Sequence, residues 1–201
     1  MANKKIKAVL IGLAHAHAMT LVSDLRSYED EVEFLGWADI VGFDGQTKEE
    51  RLWTLGKNTD LKEYADYHEL LDLKPDVAIV TVENSKCADI CCEVLERGIA
   101  VINEKPMSNT YEGAKRMVEC AKKNNTYVFT NWPIAWFPPF RLAKKYADEG
   151  KIGKVMRVVY RTPATARYLP LGLSAREQRG FPALPSSLQP QSFPTLRITV
   201  I

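Results

Sequence analysis

Glu104-Lys105-Pro106 is the densest cluster of chemistry in the chain. The apolar run Ile99-Ala100-Val101-Ile102, followed by Asn103, leads into it. That run reads as a buried strand, and open α/β sheets bind ligands beyond the carboxyl ends of such strands. A lysine there can move a proton beside a bound cofactor. Pro106 fixes its own φ and lacks an N–H, so Lys105 belongs to a stiff turn. For an isolated tripeptide a solvated strand-end lysine is the plain alternative, so the surroundings must decide.

A second pattern, Gly12-Leu13-Ala14-His15-Ala16-His17, follows the apolar run Ile6–Ile11 and opens an amphipathic stretch. A dinucleotide fingerprint, G-x-G-x-x-G/A, belongs at that place. Only the first glycine is present; Ala14 replaces the second and His17 the third. A helix N-terminus here still offers backbone N–H groups and the positive end of a dipole to a phosphate. His15 and His17 alternate with no evident third ligand, so they read as loop residues near the phosphates and no metal is assigned. Asp39 ends the run Val32–Ala38. It lies further from Gly12 than the ~20 residues of a usual fingerprint. A carboxylate there accepts hydrogen bonds from a ribose and repels a 2′-phosphate, which favours NAD and leaves NADP open. A solvated turn aspartate is the alternative, and Asp44 is a weaker substitute for the same role.

These residues need a scaffold of alternating elements. Met19, Val22 and Leu25 recur at helical spacing after the first strand. Thr47 to about Leu55 and Leu61–Leu73 read as helices. Pro75-Asp76 introduces Val77–Val82, a run suited to a strand buried on both faces. Asn84 or Ser85 caps the next helix, which runs to Arg97 and stops at Gly98. Asn109 or Thr110 caps another through Lys123, and Asn124-Asn125 turns into the strand Thr126–Thr130. The alternation predicts an α/β fold, a parallel sheet with helices on both faces. Residues 1–131 form this domain. Residues 132–162 form a linker helix (Phe140–Glu149) and the first strand (Val155–Tyr160) of a second, α+β domain. Beyond residue 162 prolines recur, lysine is absent after Lys154, and Glu177 is the only acid after Glu149. Residues 163–201 are therefore expected to be irregular, through an altered reading frame or a natural disordered tail.

Composition narrows the function class. The net charge of +2 gives no electrostatic case for nucleic acid or a membrane surface. No apolar run approaches the ~18 residues of a membrane span. Lys4, Lys5 and Lys7 before Ala8–Ile11 resemble a signal peptide, but Gly12 interrupts the run, and a buried first strand is the better reading. Cys87, Cys91, Cys92 and Cys120 include no C-x-x-C pair and read as reduced structural thiols of a cytoplasmic protein.

To about Val159 the chain resembles the glucose–fructose oxidoreductase/inositol dehydrogenase (Gfo/Idh/MocA) family. The resemblance rests on the Gly12 loop, Asp39, Asp66-Tyr67, Pro75-Asp76-Val77, Glu83-Asn84-Ser85, Leu95–Gly98, Glu104-Lys105-Pro106 and Gly150–Gly153. It implies a Rossmann domain, an α+β second domain, and NAD(P)-dependent hydride transfer at a sugar or cyclitol hydroxyl. Lys105 is then the catalytic lysine, holding substrate and nicotinamide ribose and supporting proton transfer. Gly12, Ala14, His15, His17, Asp39, Val82, Asn84, Glu104, Lys105 and Pro106 contact the cofactor. Three departures stand out: Glu83 replaces the family's proline, Cys87 its histidine, and Trp136-Phe137 its arginine–phenylalanine pair. The aspartate and histidine that the family's second domain supplies have no match after Lys154, and His68 is the last histidine. The expectation is a truncated oxidoreductase, weakly active or inactive; the alternatives are a non-catalytic dinucleotide-binding module and a non-functional product. A homo-oligomer is implied for the full-length family only.

Overall fold

In the computed structural model, residues 4–40, 47–161 and 195–199 are described. Packing divides the chain into two units, Met1–Trp132 and Pro133–Ile201. The first unit holds a five-stranded sheet in the order β2-β1-β3-β4-β5, with every pair parallel. Its strands are β1 (Ile6–Ile11), β2 (Val32–Ala38), β3 (Val77–Val80), β4 (Ala100–Glu104) and β5 (Val128–Asn131). Its helices are α1 (His17–Arg26), α2 (Lys48–Arg51), α3 (Tyr67–Asp72), α4 (Asn84–Glu96) and α5 (Tyr111–Lys123), and a 3₁₀ turn, Leu52–Leu55, follows α2.

Alternation along the central strands splits the core in two. Val9, Ile11, Ala78, Val80 and Val101 pack with Leu70, Leu71, Val94, Leu95 and Met117 of the helices on one face. Leu10 and Ile79 point the other way, to Leu13, Ala18, Val22, Trp37 and Leu55. Full burial of each such side chain contributes about 1.5–3 kcal/mol, so both faces hold the sheet between its helices. Cys87, Cys91 and Cys92 are buried in the first cluster, and all four cysteines are free thiols.

The N-termini of the helices are set by local chemistry. Thr47 and Asp66 form capping boxes with Glu50 and Glu69, and the Gly113 N–H donates to Thr110 Oγ1 at 3.0 Å. Thr110, not Asn109, is therefore the cap of α5. Neither Asn84 nor Ser85 caps α4: Glu83 holds the N-cap position without a side-chain bond, and Asn84 is the first helical residue. The helix expected over Leu61–Leu73 is shorter, Tyr67–Asp72. The Lys62–Tyr64 segment instead runs beside β2, where Trp37 N–H donates to Lys62 O and Tyr64 N–H to Trp37 O, both at 2.9 Å. An unpaired edge strand offers exactly this row of backbone groups, so helix propensity loses to pairing.

The second unit holds a 3₁₀ turn (Pro133–Trp136), α6 (Pro138–Asp148), and an antiparallel pair, β6 (Arg157–Arg161) with β7 (Thr195–Thr199). β7 differs from the irregular tail expected there; pairing satisfies the backbone edge of β6. The rest of 163–201, and Asp44, lie outside the described residues. Among the described residues no helix is long and apolar enough to cross a membrane.

Candidate functional site

The strand order reverses direction between β1 and β3, and ligands of open α/β sheets bind in the crevice at such a point. The Gly12 loop leaves β1 on one side of it, and Thr81–Asn84 leaves β3 on the other.

Gly12 adopts φ +85°, and a Cβ there would sit 2.5 Å from Val82 Cγ1 and 3.1 Å from Thr81 C and O. Both the backbone angle and the close approach require glycine. Thr81 pins the loop twice: its hydroxyl donates to Gly12 O at 2.5 Å, and its carbonyl accepts from Ala14 N–H at 2.9 Å. Gly12 N–H donates to Ala38 O at 2.8 Å. Leu13 N–H donates to Asp39 Oδ1 at 2.8 Å. With these three amides engaged inside the protein, and Ala18 N–H donating to His15 O at 3.1 Å, donors for a phosphate fall to the other amides of the first turn of α1. Val82 is buried and serves as the wall against Gly12.

Asp39 is held inside the protein. Its side chain is 2 % exposed, and Oδ1 also accepts from Ile40 N–H at 2.8 Å. The Arg51 guanidinium, equally buried, lies 3.5 Å from Oδ1 and donates to Ile40 O at 3.1 Å. Among the described residues Asp39 Oδ2 is buried with no hydrogen-bond partner. A buried carboxylate oxygen without a donor is costly. A ribose hydroxyl would satisfy it, so the residues at the end of β2 fit a dinucleotide.

The other end of the crevice is polar. Glu104 is 3 % exposed at the end of β4. Its Oε1 accepts from Asn131 Nδ2 at 2.6 Å, and its Oε2 accepts from Lys105 N–H at 3.2 Å. His17 Nδ1 lies 2.9 Å from Oε2. His15 lies near Asn84, Glu104 and Lys105. Burial pushes the His15 imidazole below its ordinary value of 6.5, with Lys105 and His17 adding to the shift and Glu104 and Asn84 opposing it. The structure thus brings His15, His17, Asn84, Glu104 and Lys105 together, whereas Asp39 follows the end of β2. Pro106 follows Lys105 through a cis peptide bond.

Thr81, Arg51 and Asn131 were not legible as site residues. Thr81 lies inside the run Val77–Val82, Asn131 just past Thr126–Thr130, and Arg51 within the stretch Thr47 to Leu55. Their roles depend on partners far off in the chain, which no local pattern marks.

The profile of an oxidoreductase family with an NAD-binding Rossmann fold, GFO_IDH_MocA, matches residues 5–132. The chain belongs to the Gfo/Idh/MocA family. It carries that family's NAD-binding Rossmann fold. Levoglucosan dehydrogenase of Pseudarthrobacter phenanthrenivorans is 32 % identical over 94 residues, 46 % of this chain and 24 % of that protein. Inositol 2-dehydrogenase of Salmonella typhimurium is 30 % identical over 101 residues, 49 % of this chain and 30 % of that protein. Among solved Gfo/Idh/MocA-like folds, the WlbA dehydrogenase of Bordetella pertussis, in complex with NADH and UDP-GlcNAcA, superposes with a TM-score of 0.67 at 20 % identity. That match covers 80 % of this chain and 44 % of the WlbA chain. The chain therefore spans less than half the length of each of these Gfo/Idh/MocA relatives.

Proposed function

We propose that this chain supplies the dinucleotide-binding part of an NAD-dependent dehydrogenase acting on a sugar or cyclitol hydroxyl, with Lys105 as its catalytic residue. The convergence of Asn84, Glu104 and Lys105 at one end of the crevice, opposite the unpaired Asp39 oxygen, carries the reading. Asp39 Oδ2 accepts a ribose hydroxyl, and its negative charge disfavours a 2′-phosphate, so NAD is preferred to NADP. The first turn of α1 faces the pyrophosphate. Asn84 lies at the nicotinamide end, and Glu104 holds the Lys105 turn. NAD, held by these residues, would supply the hydride acceptor for the carbon that bears the hydroxyl. Lys105 holds that hydroxyl oxygen and, as the neutral amine, takes its proton to become the ammonium while the C–H electron pair leaves as hydride and the carbonyl forms. The substrate class comes from the relatives, which include levoglucosan and inositol dehydrogenases.

The test is an NAD titration of the 201-residue chain by tryptophan fluorescence, with NADH formation from myo-inositol and levoglucosan assayed in parallel. Saturable binding of NAD, and weaker binding of NADP, is expected. Lys105→Ala should lower turnover by ~10²- to 10⁴-fold, the usual contribution of a positioned acid–base group, with NAD affinity held within a few fold. Unchanged turnover in that variant removes Lys105 from the chemistry. Binding without turnover in the parent chain favours a non-catalytic module, and absence of NAD binding overturns the reading.

A further inference from the structure

We propose that His15, His17 and Glu104 form a binding site for a divalent transition-metal ion of the zinc–cobalt class. The chain has three histidines. Two of them meet one buried carboxylate, brought from β4 to the start of α1. One ligand atom from each of the three residues lies within 4.8 Å of the others. Adjacent ligand atoms on a tetrahedral ion at ~2.0–2.2 Å stand about 3.4 Å apart, and His17 Nδ1 and Glu104 Oε2, now 2.9 Å apart, need to part by only about 0.5 Å on those bond lengths. His15 has to close by at most about 1.4 Å to share the ion, on the same bond lengths. The site is supported from outside as ligated residues usually are. Asn131 fixes the second oxygen of Glu104, and Lys105 N–H touches the first.

The donor set decides the ion class. Two imidazoles and one carboxylate suit zinc, cobalt, nickel or iron better than magnesium or calcium, which prefer all-oxygen shells. Three protein ligands leave a coordination position open, the pattern of a catalytic rather than a structural zinc site. Ligation at His17 Nδ1 replaces the hydrogen bond to Glu104, and any proton on that nitrogen leaves to solvent. A hydrogen-bonded His17–Glu104 pair also satisfies the buried carboxylate, and it is the reading that the experiment must beat. The proposal goes beyond the dehydrogenase reading and stands or falls apart from it.

The experiment uses the full chain without a histidine tag, stripped with chelator and titrated with Co²⁺ while visible absorption is followed. One equivalent is expected to bind, with d–d bands and no thiolate charge-transfer band. His15→Gln, His17→Gln and Glu104→Gln should each weaken binding by more than ~100-fold, beyond the ~10- to 100-fold lost with an outer partner. Asn131→Ala should fall within that smaller range, and His68→Gln should bind as the parent does. No saturable Co²⁺ or Zn²⁺ binding by the parent chain overturns the proposal and leaves the hydrogen-bonded pair. So does a thiolate band, which would place the ion on the α4 cysteines, or binding that survives His17→Gln. Because the parent chain alone can refute the site, a variant that fails to fold does not protect it. NAD titration of the metal-free chain reports separately on the cofactor site.

Discussion

His68 and His15 carry the same imidazole, yet their surroundings push its protonation in opposite directions. Burial lowers His15, whereas the hydrogen bond to Asp66 raises His68, with Glu93 adding to it and burial and Arg97 opposing. His68 Nδ1 lies 2.6 Å from Asp66 Oδ1, and Nε2 lies 2.9 Å from Glu93 Oε1. A raised histidine stabilises the fold fully below its unfolded value of 6.5 and loses that contribution as pH rises through the higher folded value. Asp66 is lowered from 3.8, chiefly by the His68 N–H, so its contribution is present above 3.8 and lost as pH falls through the lower folded value. His68→Gln should therefore cost most between pH 3.8 and 6.5 and nothing in strong alkali. The cost should stay below ~1 kcal/mol, since the pair is solvent-screened. Thermal melts of both chains across pH check this; a gap that widens above neutrality contradicts it. At this scale the strand-end placement of Gly12, Glu104 and Lys105 was legible, because each follows or closes an apolar run. It could not show that His17 turns to Glu104, since that contact joins elements far apart in the chain.

At the scale of elements, α2 exists to deliver Arg51. The helix has four residues, held by the Thr47–Glu50 capping box, and its one buried residue is Arg51. Arg51 neutralises Asp39, whose Oδ1 also holds the Leu13 N–H of the fingerprint loop. Arg51→Met should leave an uncompensated buried carboxylate and cost about 3–5 kcal/mol, read as a lower urea midpoint and weaker NAD binding. Adding Asp39→Asn should recover much of the stability, because the amide oxygen still accepts the Leu13 and Ile40 N–H groups, but not the discrimination against NADP. If the double variant is no more stable than Arg51→Met, the charge is not the cause. Strands and long helices were readable from apolar runs and periodicity. The helix over Leu61–Leu73 was not, because the edge of β2 captures its first half by backbone pairing. Propensity is a weak prior when a sheet edge competes.

Across the whole molecule, stability should follow burial in the sheet. β1 and β3 are buried on both faces over nearly all their length, and β5 is only partly covered. Amide exchange should be slowest at Val9–Ile11 and Ala78–Val80, with β5 exchanging well before them, since amides in the best-packed strands open only on global unfolding. Equal protection across the five strands would show instead that the unit opens only as a whole. The parallel Rossmann arrangement itself was legible, because strands that alternate with helices and read as continuous apolar runs have few other solutions. The β6–β7 pairing was not, since Thr195–Thr199 is short and its partner lies far back in the chain.

By itself the sequence determined the family, the α/β alternation, and the strand-end positions of Gly12, Asp39 and Lys105. Those follow from local patterns: apolar period, a glycine at a tight turn, and a proline-stiffened lysine. Only the tertiary structure decided what each of these residues touches. Asp39 is turned onto the loop and Arg51, Thr81 clamps Gly12 and Ala14, and two histidines converge on Glu104. Such contacts are set by how crossovers stack strands side by side, and sequence separation carries no record of that.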